Sequence, residues 1–437
     1  MRSPKFLHLV AKELRELSAS RSFWLLLLFV GLLVGHGFIT AVGLYAEMSG
    51  SGGPTALPQG LNSLDGVLVP TWGAYDLAAT LLFPFVAIRL ISTEKESGGL
   101  KLLLQLPGTM LAKLAAKGLV LLLAWLIAWL PGLAAIVLWR SYGGHLYAPE
   151  TLNLLLGHLL RGLLSGALGV AAAALTDVAA SAAIVTLAFT VGTWALDFVA
   201  AGRGGFVKQL ASYTPTAALR SFEQGLLRLN ALLVIVLLSV TAFVLAAIWL
   251  QTGRMIRSRL VATLLLTIVA AGSVWGAAHL RRSWDLSENR RNSFSAPDET
   301  LLRRIDQPLQ ITVFLSPEDP RLTDFEQNVL KRLRRSLAKL EVDYAASSRT
   351  GLFESGDDHY GEIWYELGGQ KVVERSTIEE VVLDQIYQLA GLSAPERSVE
   401  DGFPGYPLAV ESRRAAAIFY FIWPLLVIIT WWLTNKR

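Results

Sequence analysis

Residues 92–110, STEKESGGLKLLLQLPGTM, lie between two long apolar runs, Trp72–Ile91 and Leu114–Trp139. The residue types suit recognition, not bond making. Leu100, Leu103, Leu104 and Leu106 give one face of a short helix that can dock in a groove on a soluble partner. Glu94, Lys95, Glu96 and Lys101 would set its orientation at the rim. Gly98-Gly99 allows a sharp turn before the helix, and Pro107-Gly108 ends it. The same leucines would also suit a helix lying in a lipid interface, and periodicity does not choose between the two.

A second group of residues carries charge or polarity inside apolar runs. There a charge at mid-bilayer costs roughly 2.5–3.5 kcal/mol on insertion scales. His36 lies within the first run and reads either as a packed, hydrogen-bonded imidazole or as a translocation-path residue. Asp76, Arg89, Arg161 and Asp197 lie toward run ends, where they can snorkel or pair. Gly162 and Gly166 form a small-x-x-x-small face suited to close helix packing.

Other chemistries find no footing. With no cysteine, the chain has no disulfide, thiol catalysis or Cys-ligated zinc. No G-x-x-x-x-G-K-[ST] string occurs, so the chain has no P-loop to surround nucleotide phosphates. Leu367-Gly368-Gly369-Gln370 has letters of an ATPase signature but reads as a hairpin turn. Asp357-Asp358-His359 with Glu362 has hard-cation donors, yet a polar turn before a strand accounts for them. No hydrolytic triad, paired carboxylates or nucleic-acid patch is visible, and a net charge of +4 is too small to imply a nucleic-acid partner. The expectation is no catalytic, metal or cofactor-binding residue in this chain, with any ATP hydrolysis placed in another polypeptide.

The elements that must position these residues are mostly membrane helices. The chain is 53% hydrophobic and its mean hydropathy is +0.46. A helix needs about 20 apolar residues to cross the hydrocarbon layer. Eight segments qualify, at 22–46, 71–91, 114–139, 152–176, 179–201, 230–251, 258–280 and 414–434. The first exceeds a cleavable signal core and reads as a retained span. Lys and Arg concentrate before the first span, in the 92–113 and 252–259 loops and in the tail, whereas the 47–70 loop has none. That bias predicts cytoplasmic N- and C-termini and an extracytoplasmic 283–410 segment. Residues 3–20 read as an interfacial amphipathic helix, with Phe6, Leu7, Val10, Leu14 and Leu17 at helical spacing. It would serve as a surface anchor or as a lever joined to the first span.

The 283–410 segment has soluble composition. Ser295-Ala296-Pro297-Asp298 is a helix start. Pro308–Leu315 alternates as a strand, Phe325 to Leu340 has helical spacing, and Glu341–Ala345 reads as a second strand. Two strands flank Gly368-Gly369, and a helix spans Thr377–Leu389. The order β-α-β-β-β-α fits a small thioredoxin-like α/β layer, which without cysteine would be a binding or spacer module.

The stretch from Glu94 to Pro107 resembles the first cytoplasmic loop of ABC type-2 permeases, with Gly99 where that family usually has Thr and Lys101 where it usually has an acid. The resemblance implies that 94–107 is the coupling helix that touches an ATP-binding subunit. Thr214-Pro215, Ser221-Phe222, Gly225 and Leu229 are similar to the segment before the last span of the gliding-motility (Gld-type) permeases. The usual His and acidic positions of that type are Ala218, Arg228 and Ala231 here. Asp285–Ser295 (DLSENRRNSFS) followed by Gln307–Ser316 (QPLQITVFLS) is similar to the start of the extracytoplasmic domain of the Gld-type auxiliary subunit.

The expectation is therefore a polytopic α-helical membrane protein with a six-helix ABC type-2 permease core and a small extracytoplasmic α/β domain. Residues 1–21 would be the connector helix, 22–255 the permease, 256–282 the seventh span, 283–410 a shortened auxiliary domain, and 411–437 the eighth span and tail. The implied partners are an ATP-binding subunit dimer, which would hold ATP and Mg, a second copy or a sister permease, and the inner or plasma membrane bilayer. The work done would be export, or alternatively non-transporting control of an extracytoplasmic partner.

Overall fold

The computed structural model describes residues 4–51, 62–99, 109–200, 207, 211, 214–251, 253–280, 282–316, 319–337, 339–345, 359–395, 403 and 405–435. A short amphipathic helix, α1 (Pro4–Ser18), comes first. Helices α2 (Arg21–Gly50), α3 (Leu64–Glu96), α4 (Met110–Ser141), α5 (Ala148–Leu175) and α6 (Ala179–Ala200) follow. Next come the short α7 (Pro215–Glu223), then α8 (Leu229–Leu250) and α9 (Ile256–Ala278).

Leaving out α1 and α7, these are, among the described residues, seven helices long and apolar enough to cross a membrane. The eighth, Arg413–Thr434, lies near the end of the chain. All eight correspond to the apolar runs read from the sequence. The largest departure is α3. It begins at Leu64, in a wide helical turn that buries Leu64, Val67 and Leu68, and it runs on through Glu96. The Asn62 side chain accepts from the Leu64 amide at 2.8 Å and fixes that start. The helix persists to Glu96 because Glu94 and Lys95 find partners inside the protein, described below.

Lipid offers helices no hydrophobic reason to associate, so packing depends on small residues that let neighbours approach. Helix α5 uses this along its whole length. A Cβ at Gly157 would meet Phe222 of α7 at 2.6 Å, and one at Gly162 would meet the Trp125 ring of α4 at 2.0 Å. One at Gly169 would meet the Ala87 Cβ of α3 at 2.9 Å. Helices α3, α4, α7 and α8 thereby close around α5, the most buried span. The regular hydrogen bonding of α4 is interrupted at Trp129, two residues before Pro131, which supplies no amide to the preceding turn.

The soluble segment begins with β2 (Ser283–Asp285), which pairs antiparallel with β1 (Leu226–Arg228), the stretch between α7 and α8. Helix α10 (Ala296–Leu302) is capped by Ser295, whose hydroxyl accepts from the Asp298 amide. Strand β3 (Leu309–Val313) leads to three helical pieces that run on as α11 (Pro320–Asp324, Phe325–Leu330 and Lys331–Ser336). Strands β4 (Leu340–Tyr344), β5 (Ile363–Leu367) and β6 (Gln370–Glu374) and helix α12 (Glu379–Ala390) complete the layer.

The sheet order is β4-β3-β5-β6, with β3 and β4 parallel and the other pairs antiparallel. Alternation along β3 and β5 turns Leu309, Ile311, Val313, Ile363, Tyr365 and Leu367 into one core with Phe325, Val329, Leu333, Val382 and Ile386. Gly368 and Gly369 turn β5 into β6 at φ of +59° and +82°. Positive φ at both positions suits the tight hairpin read from the sequence.

The last span, α13 (Arg413–Thr434), docks on the first. Cβ atoms at Gly31 and Gly35 would lie 2.0 Å from Trp423 and 2.2 Å from Phe419. The Trp423 indole donates to the Leu27 carbonyl at 2.9 Å. Helix α9 rests mainly on α8 and buries only Ala277.

Candidate functional site

Three polar assemblies stand out, one at the α1 end of the bundle, one within it, and one at the end that carries the soluble domain.

At the α1 end, α1 buries Val10 and Leu17 against the bundle and carries Glu13 in among them. Glu13 is fully buried, with Lys117 of α4 donating to it at 2.8 Å. Glu94, on the last turn of α3, takes Lys12 at 2.5 Å and Lys117 at 3.1 Å. Lys117 also donates to the Leu90 carbonyl at 2.8 Å, and Lys12 pairs with Glu16 at 3.1 Å. Burial works against the Lys12 ammonium, but Glu94, Glu13 and Glu16 outweigh it and hold its pKa above the usual lysine range. Burial pushes the Glu13 carboxyl up, opposed by Lys117. Glu13, Glu16 and Glu94 come near enough for cation binding, but Lys12 and Lys117 already supply the compensating charge.

The next residue along α3 reaches the other way. Lys95 donates from Nζ to the carbonyls of Ala173 at 2.7 Å, Ala174 at 2.9 Å and Thr176 at 2.7 Å. It thus satisfies carbonyls that the α5 C-terminus would leave orphaned. Glu94 and Lys95 are therefore not at the rim suggested by the sequence. Each has interior partners that replace the water lost on burial. Glu96 stays exposed. The helix ends at Ser97, and Gly98 takes φ +73° to redirect the chain. Leu100, Lys101, Leu103, Leu104, Leu106 and Pro107 lie outside the described residues.

Within the bundle, Asp76 lies 3.6 Å from the Arg161 guanidinium, an ion pair between α3 and α5. Asp197 of α6 pairs with Arg220 of α7 at 2.6 Å. Arg89 is exposed. His36 is also exposed. Its Nδ1 lies 3.3 Å from the Tyr420 hydroxyl of α13, beside a surface groove lined by Thr40, Leu44, Met48 and Asp65. The imidazole is thus not packed inside the bundle. Sequence reading missed His158, fully buried with its ring 5.1 Å from that of Trp72 and 5.9 Å from that of Tyr75. Its spacing from Arg161, one turn along α5, was the available signal. Glu223 closes α7, and burial together with Asp76 pushes its carboxyl up to about 7 against Arg220 and Arg161.

At the opposite end, the stretch after β2 is built around Asp285. Its carboxylate accepts from the Ser287 hydroxyl at 2.5 Å, the Ser293 hydroxyl at 2.7 Å and the Asn292 amide at 3.0 Å. Burial alone would push this carboxyl up; these donors more than reverse it and hold it below the usual range. The folded stretch touches the ends of several spans. The Leu286 amide donates to Gly225 at 2.8 Å. The Glu288 amide donates to Glu150 of α5 at 3.0 Å, and Arg291 pairs with Asp65 of α3. Glu288 also accepts from the Tyr406 hydroxyl at 2.8 Å and lies 2.9 Å from His145, which stacks on Tyr406 at 3.7 Å. On its other side, Arg332 of α11 donates to the Arg291 carbonyl at 2.8 Å. This clasp joins the α/β layer to the bundle.

A family model described as ABC-2 family transporter protein matches residues 7–250, more than half of the 437-residue chain. The match begins within α1, runs through α8 and stops before α9. No curated protein and no solved structure matches the chain.

Proposed function

Since the chain belongs to the ABC-2 family of transporter proteins, we propose that it is the membrane subunit of a complex whose ATP is hydrolysed by a separate subunit. In this reading the α1 end faces the cytoplasm and the 283–410 segment lies outside it. The Lys and Arg placement supports that orientation. The leucines at 100, 103, 104 and 106 form the peg that enters the ATP-binding subunit, with Lys101 at its edge and Pro107 ending it. ATP and Mg belong to that partner. A two-fold ATPase dimer calls for two membrane subunits, either two copies of this chain or one with a sister permease. Residues 256–437 correspond to a shortened Gld-type auxiliary subunit with a thioredoxin-like layer.

The observation that carries this reading is the last turn of α3. It ties α1, α4 and α5 together immediately before the leucine-rich segment, where a push from a motor would arrive. Such a push shifts the bundle between two packings only if it is delivered to a stiff element.

The clasp favours one form of output. It holds the α/β layer to the ends of α3 and α5 and to the β1 segment, so a change in bundle packing would move that layer. Control of an extracytoplasmic partner is therefore a second reading beside export.

Replacing Leu103 and Leu104 with Asp tests the docking peg. The expected outcome is loss of co-purification with the ATP-binding subunit, since a carboxylate in a desolvated apolar pocket costs several kcal/mol. Undiminished co-purification and ATPase activity would remove the peg from the account.

A further inference from the structure

Adjacent residues Glu94 and Lys95 reach different neighbours of α3. Glu94, only 5% exposed, reaches Lys12 of α1 and Lys117 of α4. Lys95 reaches three carbonyls at the end of α5. Lys117 returns to α1 through Glu13 and to α3 through the Leu90 carbonyl. Four helices, α1, α3, α4 and α5, are thus joined by charged bonds along the end of α3, from Leu90 to Lys95. Ser97 and Gly98 follow directly, where the helix stops.

Charge pairs at exposed surfaces are weak and adaptable. Here Glu13, Glu94 and Lys117 are withdrawn from water, so separating them would leave buried charges unpaired. That cost is large compared with the cost of moving all four helix ends together. The charges are paired with one another, Lys12 and Lys117 being set against Glu13, Glu94 and the exposed Glu16.

We propose that Glu94 and Lys95 are the positioning residues of coupling. They make α1 and the adjoining ends of α3, α4 and α5 one rigid unit, so a force on the segment after Gly98 is delivered to four helices at once. They act through this unit and do not themselves touch the motor. The proposal rests on the functional reading above, but its rigid unit is measurable without the motor.

The chain has no cysteine, so nitroxide labels at His8→Cys on α1 and Val178→Cys beyond α5 report without background. Both positions are exposed. Pulsed electron resonance on the full chain in lipid nanodiscs should give one narrow distance distribution. It should broaden in Glu94→Gln and in Lys95→Met, but stay narrow in Lys95→Arg, whose guanidinium can still donate to the α5 carbonyls.

With the ATP-binding subunit bound, the wild-type distance should be the same in nucleotide-free and vanadate-trapped states. Lys95→Met should still co-purify with that subunit yet lose about tenfold or more of its ATP-driven response. A wild-type distance that shifts with nucleotide overturns the proposal, as does a narrow distribution in both Glu94→Gln and Lys95→Met. If no ATP-binding subunit binds the wild type, the functional reading fails, and the label distances still decide whether the unit is rigid.

Discussion

Gly162 and Gly166 look equivalent in sequence, yet their surroundings differ. A Cβ at Gly162 would lie 2.0 Å from the Trp125 ring, whereas one at Gly166 would meet Phe83 at 3.4 Å. Gly162→Ala should therefore lower thermal stability in detergent by about 1–3 kcal/mol, as overpacking does, and Gly166→Ala should leave it nearly unchanged. Equal melting temperatures for the two variants would contradict the packing. The small-residue face was legible because its spacing lies within one helix. Which glycine bears the contact was not, because Trp125 belongs to another span. The same limit hid Lys117: nothing near it in sequence announces a carboxylate on α1, and with Lys113 one turn before it the lysine reads as part of the flank.

The clasp after β2 is held by a carboxylate whose pKa is depressed, and the sign of its pH dependence follows. Asp285 favours the folded clasp in its ionised form. That contribution is fully present above the unfolded value of about 3.9 and fades as pH falls through the lower folded value. Hydrogen exchange at the Leu226–Arg228 amides, once intrinsic rates are removed, should lose protection below about pH 4 in the wild type. Asp285→Asn should have lower protection above about pH 5 and should lack that further loss in acid. An acid loss as large in Asp285→Asn as in the wild type would assign it to another group. The motif itself, DLSENRRNSFS, was visible as a start signal for the soluble segment. Its joining role was not, because Gly225, Glu150 and Asp65 are scattered along the chain and meet only in the fold. The strands were easier. PLQITVFL alternates, and Gly368-Gly369 marks the hairpin, so local chemistry carried most of that layer.

Across the whole molecule, eight apolar runs could be counted from composition alone, because each must satisfy its backbone within itself. The contacts among them could not be counted that way, since most apolar side chains look alike to a neighbour and to lipid. Orientation is open to a direct measurement on the cysteine-free chain. With Glu366→Cys on β5 and Ser258→Cys near the start of α9, an impermeant maleimide added to intact cells should label position 366 at once. Position 258 should react only after permeabilisation. Both side chains are exposed, so labelling in the reverse order would invert the proposed topology.

Gly31 and Gly35 leave a notch on the first span, and Trp423 and Phe419 fill it. A ribosome makes the notch before it makes the rings that fill it. Until α13 follows, the nascent helix must therefore rest in the bilayer with that notch filled by lipid or by the insertion machinery. The bundle cannot take this shape before then, so a transcript broken between the codons for Gly35 and Phe419 would yield a chain whose seam stays open.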